Sequence, residues 1–162
     1  MNDSTAAVGA EPRILVLNGP NLNMLGVRAP EIYGTQTLGD IEQLVRSTAA
    51  AQGFETEFLQ SNHEGVLIDA IQAARQSAVA LIINPGAFSH YSLAIHDALE
   101  SVRPLLTVEV HLSNIHKREQ FRHHSYVSRQ ADVVIAGAGS HGYVMAVDYI
   151  ARARAADHAS GT

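Results

Sequence analysis

Runs of five or six apolar residues recur along the chain, and segments whose apolar positions fall every three or four residues lie between them. The runs read as strands covered on both faces, and the intervening spacing reads as helices with one inward face. Arg13–Leu17 is the first strand, followed by a polar, glycine-rich stretch to Gln36. Thr37 is placed as a helix N-cap; Leu38, Ile41, Leu44, Val45 and Thr48 share one face behind it, and Gly53 closes the helix. Phe54–Leu59 alternates as a strand, and Glu64–Ser77 forms a helix with Leu67, Ile68, Ile71 and Ala74 inward. Val79–Ile83 is the third strand and Ser92–Val102 a helix that stops before Pro104. Leu105–Val110, a helical turn at His116–Phe121, the strand Asp132–Ala136 and a last helix over Gly142–Arg154 complete the series.

A strand followed by a helical pattern, five times over, predicts one doubly wound α/β domain. Five strands are too few for a closed eight-stranded barrel. The expected architecture is a flavodoxin-like, five-stranded parallel sheet in the order 2-1-3-4-5. The domain is expected to span residues 13–154, between a disordered tail over 1–12 and a fraying C-terminal tail over 155–162.

Each strand run leads directly into a polar cluster. These are Asn18 to Asn23, Gln60 to Glu64, Asn84 to Gly86 with His90 beyond, His111 to Asn114, and Gly137 to Gly142. In an open parallel sheet these clusters line up along the carboxyl edge, where ligands bind. Asn, Gly and Pro also suit tight turns for backbone reasons alone. The recurrence of Asn, His and Ser after the strands makes the edge a candidate site.

Composition narrows the chemistry. The chain of 162 residues contains no Cys, which removes disulfides, thiolate metal sites and a cysteine nucleophile and fits a cytoplasmic address. Its one lysine, Lys117, lies in a charged segment and reads as a solvated cation, not as a desolvated Schiff-base amine. A net charge of −5 argues against nucleic acid as a partner. No segment has the roughly 18 uninterrupted apolar residues of a membrane span. Charged residues are 17% of the chain, against about 25% in typical domains, which suggests surface hidden by self-association.

Specific motifs fare as follows. Gly137-Ala-Gly-Ser-His-Gly142 has the G-x-G-x-x-G spacing, but too little chain follows to complete a dinucleotide-binding unit, so it reads as a tight strand–helix turn. The nine histidines match no zinc spacing, and no carboxylate-rich cluster completes them. No G-x-S-x-G elbow is present. What remains is acid–base work by His, Tyr, Asn and Arg without metal or cofactor. Arg28, Arg118 and Arg122 suit a small, oxygen-rich anion.

Five blocks of the chain carry a family resemblance: 17–34 (LNGPNLNMLGVRAPEIYG), 58–69, 83–99, 109–128 and 137–143. Together they resemble the type II 3-dehydroquinate dehydratases over about residues 13–152. The resemblance implies cofactor-independent trans-dehydration of 3-dehydroquinate to 3-dehydroshikimate in the shikimate or quinate pathway. It also implies a trimer-based homo-oligomer, usually a dodecamer. Tyr33 matches the catalytic base and Arg28 the cation that favours its ionised form. Asn21 matches the residue that holds the enolate-stabilising water. His111 matches the general acid and Glu109 the carboxylate that orients it. Leu112 and Ser113 match the substrate-carboxylate site; Asn84, His90 and Arg122 match the binders of the ring hydroxyls. Asp97 matches a residue that reaches a neighbour's site, and Arg118 a lid-closing arginine. Ala29 and Ala87 depart from the pattern without removing a catalytic group. A non-catalytic binding module and a nucleotide-dependent enzyme are the competing readings.

Overall fold

The alternation is realised as β1 (Arg13–Asn18), α1 (Leu38–Ala50), β2 (Glu55–Gln60), α2 (Glu64–Ser77), β3 (Ala80–Asn84), α3 (Leu93–Ser101), β4 (Leu106–His111), β5 (Val133–Ala136) and α4 (His141–Ser160). These elements come from a computed structural model that describes residues 11–27 and 35–160. The strands form one sheet in the order β2-β1-β3-β4-β5, with each neighbouring pair parallel. This is the flavodoxin-like order expected.

Both faces of the sheet are covered. On one, Ile14, Val16, Ile82, Val108 and Val110 pack with Ile41 and Val45 of α1 and with Val147 and Ile150 of α4. On the other, Leu15, Leu17, Leu81 and Ile83 pack with Leu67 and Ile71 of α2 and with Ile95 and Leu99 of α3. Full burial of each such side chain contributes about 1.5–3 kcal/mol, which explains why the strand runs are apolar at successive positions. Helix α1 begins with a reciprocal cap. Thr37 Oγ1 accepts from the Asp40 backbone N–H at 3.2 Å, and the Asp40 carboxylate accepts from the Thr37 N–H at 2.8 Å.

The structure moves several boundaries. β1 through β4 each continue one residue past the expected apolar end, to take in Asn18, Gln60, Asn84 and His111. The register explains this: Asn18 is paired with both Gln60 and Asn84, and His111 with Ala136, so the ladder continues where side-chain polarity changes. The single turn expected at His116–Phe121 is instead two 3-10 turns, Ile115–Lys117 and Gln120–Arg122, separated by extended backbone at Arg118 and Glu119. α4 runs to Ser160, past the expected end at Arg154.

Candidate active site

Because the parallel strands end in register, Asn18, Gln60, Asn84 and His111 are delivered to one edge of the sheet. Two loops meet there at backbone distance. A Cβ on Gly19 would lie 2.2 Å from the Pro85 carbonyl oxygen, so only glycine allows the Gly19 N–H to donate to Asn84 O at 2.7 Å. Asn21 adopts a left-handed conformation, φ 66°, unusual for a residue with a Cβ. Its N–H donates to Asn62 Oδ1 at 2.9 Å, and Gln60 Nε2 donates to the same oxygen at 3.1 Å. The end of β2 thus fixes the turn that carries Asn21.

Most of the residues singled out in the sequence line one cleft of about 730 Å³, partly open to solvent. Asn21 stands on the loop after β1, Asn84 and His90 come from β3 and the turn after it, and His111, Leu112 and Ser113 come from the end of β4. Arg118 and Arg122 close the wall. The glycine-rich turn after β5 has a structural job here: Gly137 N–H donates to His111 O at 3.1 Å and Gly139 N–H to Leu112 O at 3.0 Å. Its amides are turned toward the β4 loop, in keeping with a tight turn.

His111 and Glu109 form the buried floor. His111 Nε2 lies 2.6 Å from Glu109 Oε1, and the two residues are 5% and 0% exposed. Burial alone would raise the Glu109 carboxyl. Hydrogen bonding and charge from His111, with the hydroxyls of Ser125 and Ser128, outweigh it and hold the group below its ordinary value. An ionised carboxylate only accepts, so the His111 Nε2 carries the proton and Nδ1 is the ring nitrogen left for the cleft.

His90 stacks nearly parallel to His111, with centroids 6.5 Å apart and rings inclined by 16°. Its Nδ1–H donates to the His124 carbonyl at 2.8 Å. Desolvation, followed by the positive charge of His111 and Arg122, pushes its pKa down, against the opposing pull of that carbonyl and of Glu109. A neutral His90 with Nδ1 so committed keeps Nε2 as an acceptor, suited to a hydroxyl. Glu119, unremarked in the sequence, holds both wall arginines. Its Oε2 lies 2.9 Å from Arg122 Nε and 3.7 Å from Arg118 Nε.

The structure does not bring every candidate here. Asp97 lies on α3 with its side chain 75% exposed, beside His96, and does not line the cleft. His96, Asp97 and Glu100 do form a group whose ligand atoms lie within 4.8 Å of one another, a cluster the sequence spacing had not suggested. Both ring nitrogens of His96 are engaged there, by Asp97 and Gln130. Arg28, Ala29 and Tyr33 lie outside the described residues. Lys117 is exposed and does not line the cleft.

Sequence reasoning missed the supports of the site. Ser125 Oγ donates to Glu109 Oε1 at 2.6 Å, and Ser128 Oγ donates to Oε2. Tyr143 is fully buried; its hydroxyl donates to Asn18 Oδ1 at 2.5 Å and accepts from Asn84 Nδ2 at 3.0 Å. The S-x-x-S spacing was a readable signal for the first pair. The partners of Tyr143 are 125 and 59 positions away, and no local pattern marks them.

Fold and site together define a flavodoxin-like α/β protein with a buried histidine–carboxylate pair at a cleft walled by Arg118 and Arg122. The family model for dehydroquinase class II matches residues 12–151, and the chain belongs to that family. A 3-dehydroquinate dehydratase of Streptomyces avermitilis is 58% identical over 142 residues, which cover 88% of this chain and 89% of that protein. The "Catabolic 3-dehydroquinase 2" of Aspergillus flavus is 56% identical over 138 residues, covering 85% and 91%. The crystal structure of a type II dehydroquinase from Butyrivibrio crossotus superposes with a TM-score of 0.85 at 44% identity, covering 88% of this chain and 99% of that one.

Proposed function

We propose that this protein dehydrates 3-dehydroquinate to 3-dehydroshikimate, by trans-elimination through an enolate. The observation that carries the proposal is the buried Glu109–His111 pair at the base of a cleft walled by Arg118 and Arg122. Tyr33, as a phenolate favoured by the charge of Arg28, removes the proton alpha to the ketone. Asn21 holds the water that stabilises the enolate. His111 then protonates the departing C1 hydroxyl, which leaves as water, and the electron pair of the enolate forms the conjugated double bond. Leu112 and Ser113 receive the substrate carboxylate at the end of β4. Asn84, His90 and Arg122 bind the ring hydroxyls, and Arg118 closes the site.

The working unit is a trimer, four of which build a dodecamer, with Asp97 reaching the neighbouring subunit's cleft. Its exposure and its place outside its own cleft support that role. No helix among the described residues is long and apolar enough to cross a membrane, and a cytoplasmic enzyme of the shikimate pathway is the setting proposed. The catabolic name of the Aspergillus flavus relative supports a second setting, quinate breakdown, for the same chemistry. Adding the protein to 3-dehydroquinate is expected to raise near-ultraviolet absorbance as the enone forms. A folded protein that produces no rise, or binds without turnover, refutes the assignment.

A further inference from the structure

Ser125 and Ser128 are not cleft-lining residues, yet both act on the pair at its floor. They sit three apart, Ser125 two residues before the 3-10 turn Val127–Arg129 and Ser128 within it. Val127 between them is fully buried in the core, and the Tyr126 N–H donates to Ser89 O at 2.8 Å, so the turn is anchored on both sides. The Ser128 backbone N–H donates to Ser125 Oγ at 3.2 Å, which leaves the Ser125 hydroxyl proton for Glu109. Glu109 therefore accepts from Ser125 and His111 on Oε1 and from Ser128 on Oε2, so both oxygens of a carboxylate with no exposure are satisfied.

We propose that Ser125 and Ser128 are positioning residues that hold Glu109 as a carboxylate and moderate its grip on the Nε2 proton of His111. The proposal rests on the reading of His111 as the general acid. A carboxylate that shares its charge with two hydroxyls pulls less on the imidazolium, so His111 gives up its proton more readily. Without them, Glu109 is the stronger acceptor and His111 the weaker acid. Among the described residues, the other charged or titratable groups facing the pair are His90, from the turn after β3, and Arg118 and Arg122 on the cleft wall; Arg129, on the serine-bearing turn, is exposed. None of these is altered by the substitutions below.

The test combines histidine-ring NMR titration with steady-state kinetics on Ser128→Ala, Ser125→Ala and the double variant, with His111→Asn to assign the resonance. Loss of either hydroxyl is expected to raise the His111 titration midpoint by up to about one pH unit. It is also expected to lower kcat about tenfold with KM nearly unchanged, and to move the alkaline limb of kcat upward. Ser128→Thr, which keeps a hydroxyl, should restore both. Because Ser125 is buried, the half-buried Ser128 carries the test by itself should Ser125→Ala not fold. An unmoved midpoint and limb in folded Ser128→Ala, a loss confined to KM, or a Ser128→Thr protein as impaired as Ser128→Ala overturns the proposal. The titration needs no turnover: inactivity of the unaltered protein toward 3-dehydroquinate would refute the function while leaving the midpoint shift readable.

Discussion

The Tyr143 hydroxyl accepts a hydrogen bond from Asn84 Nδ2 at 3.0 Å, tying the last helix to the end of β3. The same hydroxyl donates to Asn18 at the end of β1, so one phenol organises two strand ends beneath the cleft. Burial pushes its pKa far up, and it acts as a neutral donor and acceptor. Tyr143→Phe removes the bridge and leaves a buried amide donor and a buried amide acceptor unpaired. Each costs about 1–3 kcal/mol, so thermal denaturation should show Tm lower by several degrees. Asn84 also loses its anchor, so steady-state kinetics should show a raised KM.

His111→Asn and Glu109→Gln separate the two halves of the floor. Loss of a general acid costs roughly 10²- to 10⁴-fold in rate, so His111→Asn should lower kcat by that order while binding survives. Glu109→Gln presents an amide where the carboxylate accepted three donors. The Nε2 proton of His111 then faces a neutral amide in place of a charged carboxylate, and kcat should fall with a smaller change in KM. Equal kcat in Glu109→Gln and the unaltered protein would remove Glu109 from the mechanism.

Acid should destabilise the fold in two stages. His90 has a lowered folded-state pKa, so the unfolded chain binds its proton first. Its contribution is complete above the unfolded value of about 6.5 and is lost as pH falls toward the folded value. Glu109 is also lowered, so its contribution is complete above an ordinary carboxyl value near 4.3 and is lost below it. Denaturant melts from pH 8 to 3 should show stability falling below about pH 6.5 and again below about pH 4.3. Glu109→Gln should make the second fall shallower; Asp40 and Glu119, also held below their ordinary values, still contribute to it.

Exposure of Asp97 outside its own cleft leads to a complementation experiment. Asp97→Ala and His111→Asn should each be poorly active alone. Subunits mixed after dissociation should recover activity, because some clefts then combine an intact His111 with an intact neighbouring Asp97. Solution mass should be a multiple of three chains. Mixed subunits with no recovered activity, or a monomeric mass, would place Asp97 outside the site.

The chain itself fixed the layers. Val79–Ile83 is apolar at every position because its strand is covered on both faces, and Thr37 and Gly53 bracket α1 through local backbone chemistry. Most cleft residues were also legible, since residues just past parallel strands must share an edge. Strand ends were less so: Asn18 and His111 belong to the ladder through pairing with other strands, which polarity along the chain does not record.

The pairings beneath the cleft were decided only by folding. Sequence placed His111 two residues after Glu109, and strand alternation put them on one face. It did not show that Ser125 and Ser128 donate to that carboxylate, that Glu119 holds Arg118 and Arg122, or that Tyr143 links Asn18 to Asn84. Periodicity is a local property, set by which face of an element is buried. A buried carboxylate or amide finds its partners wherever the packed elements bring a donor or acceptor within about 3 Å, at whatever distance along the chain.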